Sequence, residues 1–307
     1  MAKKGPHKQT RWIHISDVQF GHHPSDGEDH YTLVADMIAT IRREQPDFVI
    51  HSGDHVAGAG EDDTPRRIGK LWREYHRAMD PLTEQCPVYS CPGNHDQTRP
   101  GRSLEEYCKH VGRAGKSPYY TATFGPIHLI MLDEVLRPGD HYWGDTVTTR
   151  LLHSGGFLSG SAQDRWLRRH LAKGRRGKVL VTIGHWPIFM SRNLYFDTDS
   201  SLRYDEITKH PGNLLPQLIK ANCDLYLCGH HHVYERSRHP KLMQVKTGAD
   251  GIAWPHLMED PNKYSVIQDY RHGYTRFTYD PSAHRIHGEA VDLDGDVIDA
   301  WSQKAKE

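Results

Sequence analysis

Leu225-Tyr226-Leu227-Cys228-Gly229-His230-His231-His232-Val233-Tyr234-Glu235-Arg236 is the stretch on which the reading of this chain turns. A short apolar run breaks at a glycine and delivers three consecutive histidines. Four other segments likewise end an apolar run with donor residues, three of them at a glycine. Trp12 to Ser16 leads into Asp17-Val18-Gln19, and Phe48 to His51 into Gly53-Asp54-His55. Val88 to Ser90 leads into Gly93-Asn94-His95-Asp96, and Val179 to Ile183 into Gly184-His185-Trp186-Pro187. Short apolar and β-branched runs ended by glycine read as strands. The loop after each strand supplies Asp, Asn, Gln or His, the oxygen and nitrogen donors that suit Mn, Fe or Zn. One Gly-Asp is an ordinary turn, and one buried histidine an ordinary hydrogen-bonded core residue. Five donor-bearing strand ends in one chain point to a two-metal site.

Helices alternate with these strands. Tyr31 to Glu44 places Leu33, Met37 and Ile41 on one line with Val34 and Ile38 beside them, and Pro46 stops it. Ser161, with Asp164 three residues on, opens a helix in capping-box style that Gly174 ends, and Leu214 to Ala221 forms another. Ile127 to Leu132 adds a further strand. The strands are too continuously apolar for a half-exposed sheet and are expected to be covered on both faces. After residue 240 the pattern turns to strands alone: Leu242 to Thr247, Tyr264 to Gln268, Gly273 to Tyr279 and Ile286 to Leu293. The class is α/β, with the chemistry expected in loops at the carboxyl ends of strands.

The order Asp, Gly-Asp, Gly-Asn-His-Asp, Gly-His, Gly-His-x-His resembles the calcineurin-like metallophosphoesterase superfamily, and Gly229 to Arg236 looks most like its purple acid phosphatase branch. The resemblance implies a two-sheet β-sandwich flanked by helices in four αββα layers, with the strands after 240 as its closing sheet. A chain of 307 residues can hold this as one catalytic domain, expected over 11–300 between a basic N-terminal tail, 1–10, and a C-terminal tail, 301–307. Carried over residue by residue, the pattern gives the first metal Asp17, Gln19 and His232, makes Asp54 the bridge, and gives the second metal Asn94, His185 and His230. Such a bridge holds two cations roughly 3.5–4 Å apart. In extended chain, residues two apart share a face, so His231 should turn away from His230 and His232 into a structural role. His95 is expected to face the substrate as the general acid, oriented by Asp96, with a metal-bound hydroxide as nucleophile. Two divalent cations, Mn²⁺ or Fe²⁺ with Zn²⁺ as a third candidate, set against only two anionic ligands leave positive charge for a phosphate to neutralise.

Two positions depart from the pattern. Gln19 stands where most of the superfamily has histidine, as in the manganese-dependent ADP-ribose and CDP-alcohol diphosphatases. Ala57 stands where purple acid phosphatases put the tyrosine that holds ferric iron, so no purple colour is expected. The expected function is dinuclear metal-dependent hydrolysis of small phosphomonoesters or phosphodiesters. A nucleotide diphosphatase is the alternative within that chemistry, and a non-catalytic metal-binding scaffold the alternative outside it. His22, His23, His55, Arg192 and Tyr195 are candidates for substrate contact, in or near loops His55–Arg66 and Met190–Pro211; the loop Arg137–Gly160 could also shape the pocket. The chain holds 24 histidines, and His14, His51 and His128 read as satisfied or surface residues of strands.

Basic and acidic side chains number 39 each, so no global field draws the protein to nucleic acid or to an anionic membrane. The local basic run Arg165, Arg168, Arg169, Lys173, Arg175, Arg176, Lys178 reads as a solvated helix face and its exit loop. No apolar h-region succeeds the basic start and no membrane-length apolar run occurs. Five cysteines cannot all pair and lack zinc-ribbon spacing, which suits a reduced, cytoplasmic protein with most of them buried as small apolar residues. The implied partner is a small phosphorylated substrate.

Overall fold

Trp12 stacks on Phe48 at 5.8 Å and on Phe277 at 5.1 Å, ring planes within 4° of parallel, and this aromatic row ties three adjacent strands together in the middle of the protein. The computed structural model describes residues 8–22, 30–58, 64–98, 103–135, 159–175, 177–191, 214–248 and 260–307. Along them run β1 (Thr10–Ile15), α1 (His30–Glu44), β2 (Phe48–His51), α2 (Pro65–Thr83), β3 (Val88–Ser90), α3 (Glu105–His110), β4 (Tyr120–Phe124) and β5 (Ile127–Met131). Then come α4 (Ala162–Ala172), β6 (Val179–Ile183), α5 (Leu214–Lys220), β7 (Leu225–Cys228), β8 (Tyr234–His239) and β9 (Leu242–Lys246). The chain closes with β10 (Ser265–Asp269), β11 (Gly273–Asp280), β12 (Arg285–Asp292) and β13 (Val297–Lys304).

Among the described residues the strands form two sheets, ordered β13-β12-β11-β1-β2-β3 and β10-β8-β9-β7-β6-β5-β4. One apolar cluster fills the space between them, around Trp12, Phe48, Leu129, Val181 and Leu227. A second joins the first sheet to α1 and α2, and a third joins the second sheet to α4 and α5. These are the four layers, helix, sheet, sheet, helix, that the family pattern implies. Because the central strands of both sheets are covered on both faces, β2, β6 and β7 are buried along their whole length, as their apolar sequence requires.

The strands after residue 240 do not form one closing sheet. β9 and β10 join the second sheet, with β9 parallel to β7, whereas β11 runs antiparallel beside β1 and carries β12 and β13 on the first. The tail expected from 301 instead completes β13 to Lys304, with Ala305 buried and bonded to the His284 carbonyl. The late part of the Leu225–Arg236 stretch is structural. On β8, Tyr234 and Arg236 bond Asp299 of β13 at 2.7 and 2.6 Å, linking the two sheets, and Glu235 pairs with buried Lys246 at 2.8 Å. The sequence pattern does not announce α2. Thr64 caps it, Pro65 opens it, and Ile68, Leu71, Trp72, Tyr75, Met79 and Leu82 face the core at helical spacing between many charges. α4 starts as expected, Ser161 Oγ accepting from the Asp164 N–H at 3.1 Å. All five cysteines are free and buried. Among the described residues no helix is long and apolar enough to cross a membrane.

His14 and His51, fully buried on β1 and β2, are satisfied in part. His14 Nε2 lies 2.8 Å from Ser52 Oγ, and His51 Nδ1 accepts from the Gly53 N–H at 3.3 Å. His128 shares a proton with Thr123 Oγ1 at 2.9 Å. Burial carries the His14 pKa from 6.5 down to about 3, and burial with the neighbouring His55 takes His51 well below its usual value. The unfolded chain therefore binds protons at these sites where the folded one does not, and stability falls as pH drops from about 6.5 towards 3. For His14 alone linkage gives on the order of 5 kcal/mol. Metal-free protein should show a melting temperature that declines across this window, and His14→Gln should flatten the decline. An equal decline in the variant would remove His14 as its source.

Candidate metal centre

The loops after β1, β2 and β3 in one sheet and after β6 and β7 in the other meet at one end of the sandwich. They are not slack, because strand pairing continues into them. Asp17 N–H bonds the Gly53 carbonyl at 3.0 Å, Gln19 N–H the Asp54 carbonyl at 3.0 Å, and Gly229 N–H the His185 carbonyl at 3.0 Å. Within that frame Asp17, Gln19, Asp54, His230 and His232 have φ of 57, 33, 55, 76 and 52°, the left-handed region that L-residues seldom adopt. The chain turns sharply at each donor and aims its side chain inward.

The donors converge. Asp17, Asp54 and His185 present atoms all within 4.8 Å of one another. His185 Nε2 lies 3.1 Å from Asn94 Oδ1, 3.3 Å from Asp54 Oδ2 and 4.0 Å from Asp17 Oδ1. His230 Nδ1 is 3.1 Å from Asn94 Oδ1, and His232 Nε2 is 3.7 Å from Asp17 Oδ1. Gln19 joins them, its amide nitrogen 2.8 Å from Asp54 Oδ2 and 3.2 Å from His232 Nε2. Its Oε1 is buried without a hydrogen-bond partner, and half a turn of the amide would offer that oxygen to a cation. His185 Nδ1 donates to the Ser52 carbonyl at 2.9 Å, which fixes Nε2 as the nitrogen facing the site.

Burial pushes the Asp17 carboxyl up to about 7 against the pull of His185. Burial pushes Asp54 up too, but His185 and His95 outweigh it and hold that carboxyl well below the usual range. Burial would lower His185, yet Asp54 and then Asp17 overcome it and raise the ring to about 10. The imidazolium thus occupies the electrostatic place of a cation between two carboxylates. Two buried carboxylates, three imidazoles and two amide oxygens fit two divalent cations.

His95 differs from its neighbours in being half-buried and open to the site. Its N–H donates to Asp54 Oδ1 at 2.8 Å. Its Nδ1 donates to the Gly58 carbonyl at 3.2 Å, leaving Nε2 for the opening. Asp96 does not hold this ring, contrary to the expectation from sequence. Its carboxylate takes the N–H groups of Gly93, Asp54 and His55 at 2.8, 3.0 and 2.8 Å and the His55 ring at 2.9 Å, because a residue of the 3₁₀ turn Asn94–Asp96 points back under its own loop. His55 is correspondingly not a substrate contact. It is fully buried, stacked on His51 at 3.8 Å and enclosed by Trp72, Tyr75 and Tyr107. His22 does reach the site, its ring 5.5 Å from that of His95. His23, Arg192 and Tyr195 lie outside the described residues. His231 turns to Lys246 Nζ at 3.2 Å, as a structural residue would. The extended-chain reason for this fails, since His230 and His232 have positive φ; two sharp bends produce the alternation.

The sequence reading missed Glu134. Fully buried against Gly184, it accepts from the Trp186 N–H at 3.0 Å and the Tyr226 hydroxyl at 3.0 Å. The signal was present, because Asp133-Glu134 ends the apolar β5 run just as the five motifs end theirs.

The sequence profile of calcineurin-like phosphoesterases matches residues 10–234. The chain belongs to that family. Membership places it among metal-dependent phosphoric ester hydrolases with a dinuclear centre. Acid phosphatase type 7 of Homo sapiens is 24% identical over 330 aligned residues, covering 97% of this chain and 68% of its own. A purple acid phosphatase from yellow lupin (Lupinus luteus) seeds shares the fold at TM-score 0.69 and 17% identity, covering 96% of this chain; the chain spans 53% of that protein. A dimetal phosphatase from Danio rerio does so at 0.63 and 14%, covering 97% of this chain and 99% of its own.

Two behaviours are expected of this phosphoesterase. Metal must displace the His185 proton, so at pH 7 calorimetry in buffers of differing ionisation enthalpy should report release of about one proton or more as the centre is filled, with affinity rising as pH rises. Heats independent of buffer would contradict the charged ring. Asp96→Ala should lower the melting temperature and metal affinity together with activity, since it strips acceptors from three loop N–H groups; loss of rate alone would return Asp96 to a role on His95.

Proposed function

We propose that the chain hydrolyses small phosphomonoesters or phosphodiesters, with His95 as the general acid. The observation that carries this is the position of His95: the half-buried histidine beside the converging donors, its Nδ1 committed to Gly58 and its Nε2 open. Asp17, Gln19 and His232 would hold one cation, Asn94, His185 and His230 the other, with Asp54 between them. Bound there, Mn²⁺, Fe²⁺ or Zn²⁺ would neutralise phosphate charge and lower the pKa of a water. Asp54 does double duty, because its Oδ1 also anchors the backbone of His95 and so sets the distance from acid to phosphate. Protonated at Nε2, His95 would give its proton to the departing alkoxide, while the His22 ring limits how far it can swing. A non-catalytic scaffold would need no such group.

Gln19 favours a second substrate class within the same chemistry, nucleotide diphosphates such as ADP-ribose, because at the first site a neutral amide stands beside His232 where most of the family has a second imidazole. Both readings are separated by steady-state hydrolysis of nitrophenyl phosphate, its bis-ester and ADP-ribose, using metal-free protein re-supplied with each metal. Asp54→Asn is expected to lose metal and activity together. His95→Ala should keep its metal and lose roughly 10²–10⁴-fold in kcat on esters with poor leaving groups. Full activity of His95→Ala on such an ester would defeat the acid assignment.

A further inference from the structure

The basic run of α4, read from sequence as one solvated face, is divided by the fold. Arg168 is held by Asp164 at 3.0 Å and Arg175 by Asp224 at 2.5 Å. Arg165 and Arg169 turn the other way, towards Arg113 and Lys116 from the segment between α3 and β4. The four cations surround an open pocket of about 600 Å³ with Tyr119 and Trp166 in its wall. No carboxylate lines it among the described residues, and none of the four has an acidic partner there. In a chain of zero net charge, four unneutralised cations around one concavity concentrate positive potential locally.

The walls are organised. The Arg113 guanidinium lies 3.9 Å over the Tyr120 ring, and its Nε donates to the Ser117 carbonyl at 2.9 Å. The Tyr120 hydroxyl bonds both the N–H and the carbonyl of Ser90 at 3.1 Å, just before the loop that carries Asn94 and His95. Tyr119 and Trp166 pack at 4.9 Å. Tyr120 pairs with Met131 at the end of β5, so the pocket opens at the sandwich edge on the same end as the metal centre.

We propose that this pocket is a second anion site, separate from the metal centre, for a chain of two or more phosphates, whether a polyphosphate or the tail of a nucleotide. Guanidinium groups grip phosphate oxygens in pairs, and several converging on one concavity suit a multiply charged anion better than a monoester. The volume is that of an ordinary ligand pocket.

The test is calorimetric titration of the full chain with methylenediphosphonate and with β,γ-methylene-ATP, neither of which is hydrolysed at the bridging carbon. Binding should survive Asp54→Asn within about twofold, weaken at least about tenfold in Arg165→Glu/Arg169→Glu, and be unaffected by Lys220→Glu/Lys304→Glu, which alters the net charge equally elsewhere. All of these side chains except Asp54 are exposed, so the folds should match by circular dichroism. Tighter binding of the nucleotide analogue with a change in tryptophan fluorescence would identify a nucleotide; equal binding would identify the phosphate chain alone. Either supports the site. Binding abolished by Asp54→Asn and indifferent to the arginines would place the anion in the metal centre and overturn the proposal. Equal loss in the lysine control, or no binding at all, would overturn it too.

Discussion

Two carboxylates that water cannot reach, Asp17 and Asp54, govern this end of the molecule. Taking even one ion out of water costs several kcal/mol, and two of like sign in one cavity repel as well. They persist only if positive charge lies between them. In the protein alone that charge is a proton on His185, whose Nε2 faces both carboxylates because Nδ1 is tied to the Ser52 carbonyl. A cation at the same place does the same work with more charge, so the site is built for an exchange of proton for metal. The stiff surroundings have the same origin, since a cavity that relaxed could let water in and remove the need for either.

Stiffness is visible in the glycines. A Cβ on Gly93 would come within 2.1 Å of Asp54 Oδ1, and one on Gly229 within 2.2 Å of Asp17 Oδ2, so each carboxylate is pressed against bare backbone. The left-handed φ at five donors carries conformational strain. Strand-type hydrogen bonds that run on past β1, β2 and β7 hold those turns in place, and the interior aromatic row makes the strands themselves hard to move. Strain at the donors is thus sustained by packing far from them.

The parts legible in sequence were those in which chemistry and period coincide. A donor ending an apolar run, with a glycine beside it in four of the five cases, announced each loop that meets at the site, and the apolar runs of β2, β6 and β7 announced strands covered on both faces. What escaped did so for physical reasons. α2 presents its apolar residues between arginines, lysine and glutamate, so its periodicity is diluted by charge. β8 and β13 carry polar residues whose partners, Asp299 for Tyr234 and Arg236, are distant in sequence and close only after folding. The expected Asp96–His95 pairing was a neighbour argument along the chain. The tight turn at Asn94–Asp96 reverses it, sending the carboxylate under the loop and leaving a backbone carbonyl to hold the histidine. His55 behaves likewise, adjacent to a ligand in sequence and sealed beneath it in space.

The donors are shared between the two sheets: Asp17, Gln19, Asp54 and Asn94 follow strands of one, while His185, His230 and His232 follow strands of the other. Neither sheet alone brings this set of donors together. Binding free energy of a metal held this way belongs to the folded arrangement of both sheets and is absent from either one apart, so it adds to the cohesion of the sandwich as well as to its chemistry. The apolar layer between the sheets sets their separation near the site, and that separation decides whether Asp54 and His185 lie within reach of one ion. A change of side-chain volume at Phe48, Cys91 or Leu227, in that layer, therefore acts on the centre through the spacing of the sheets.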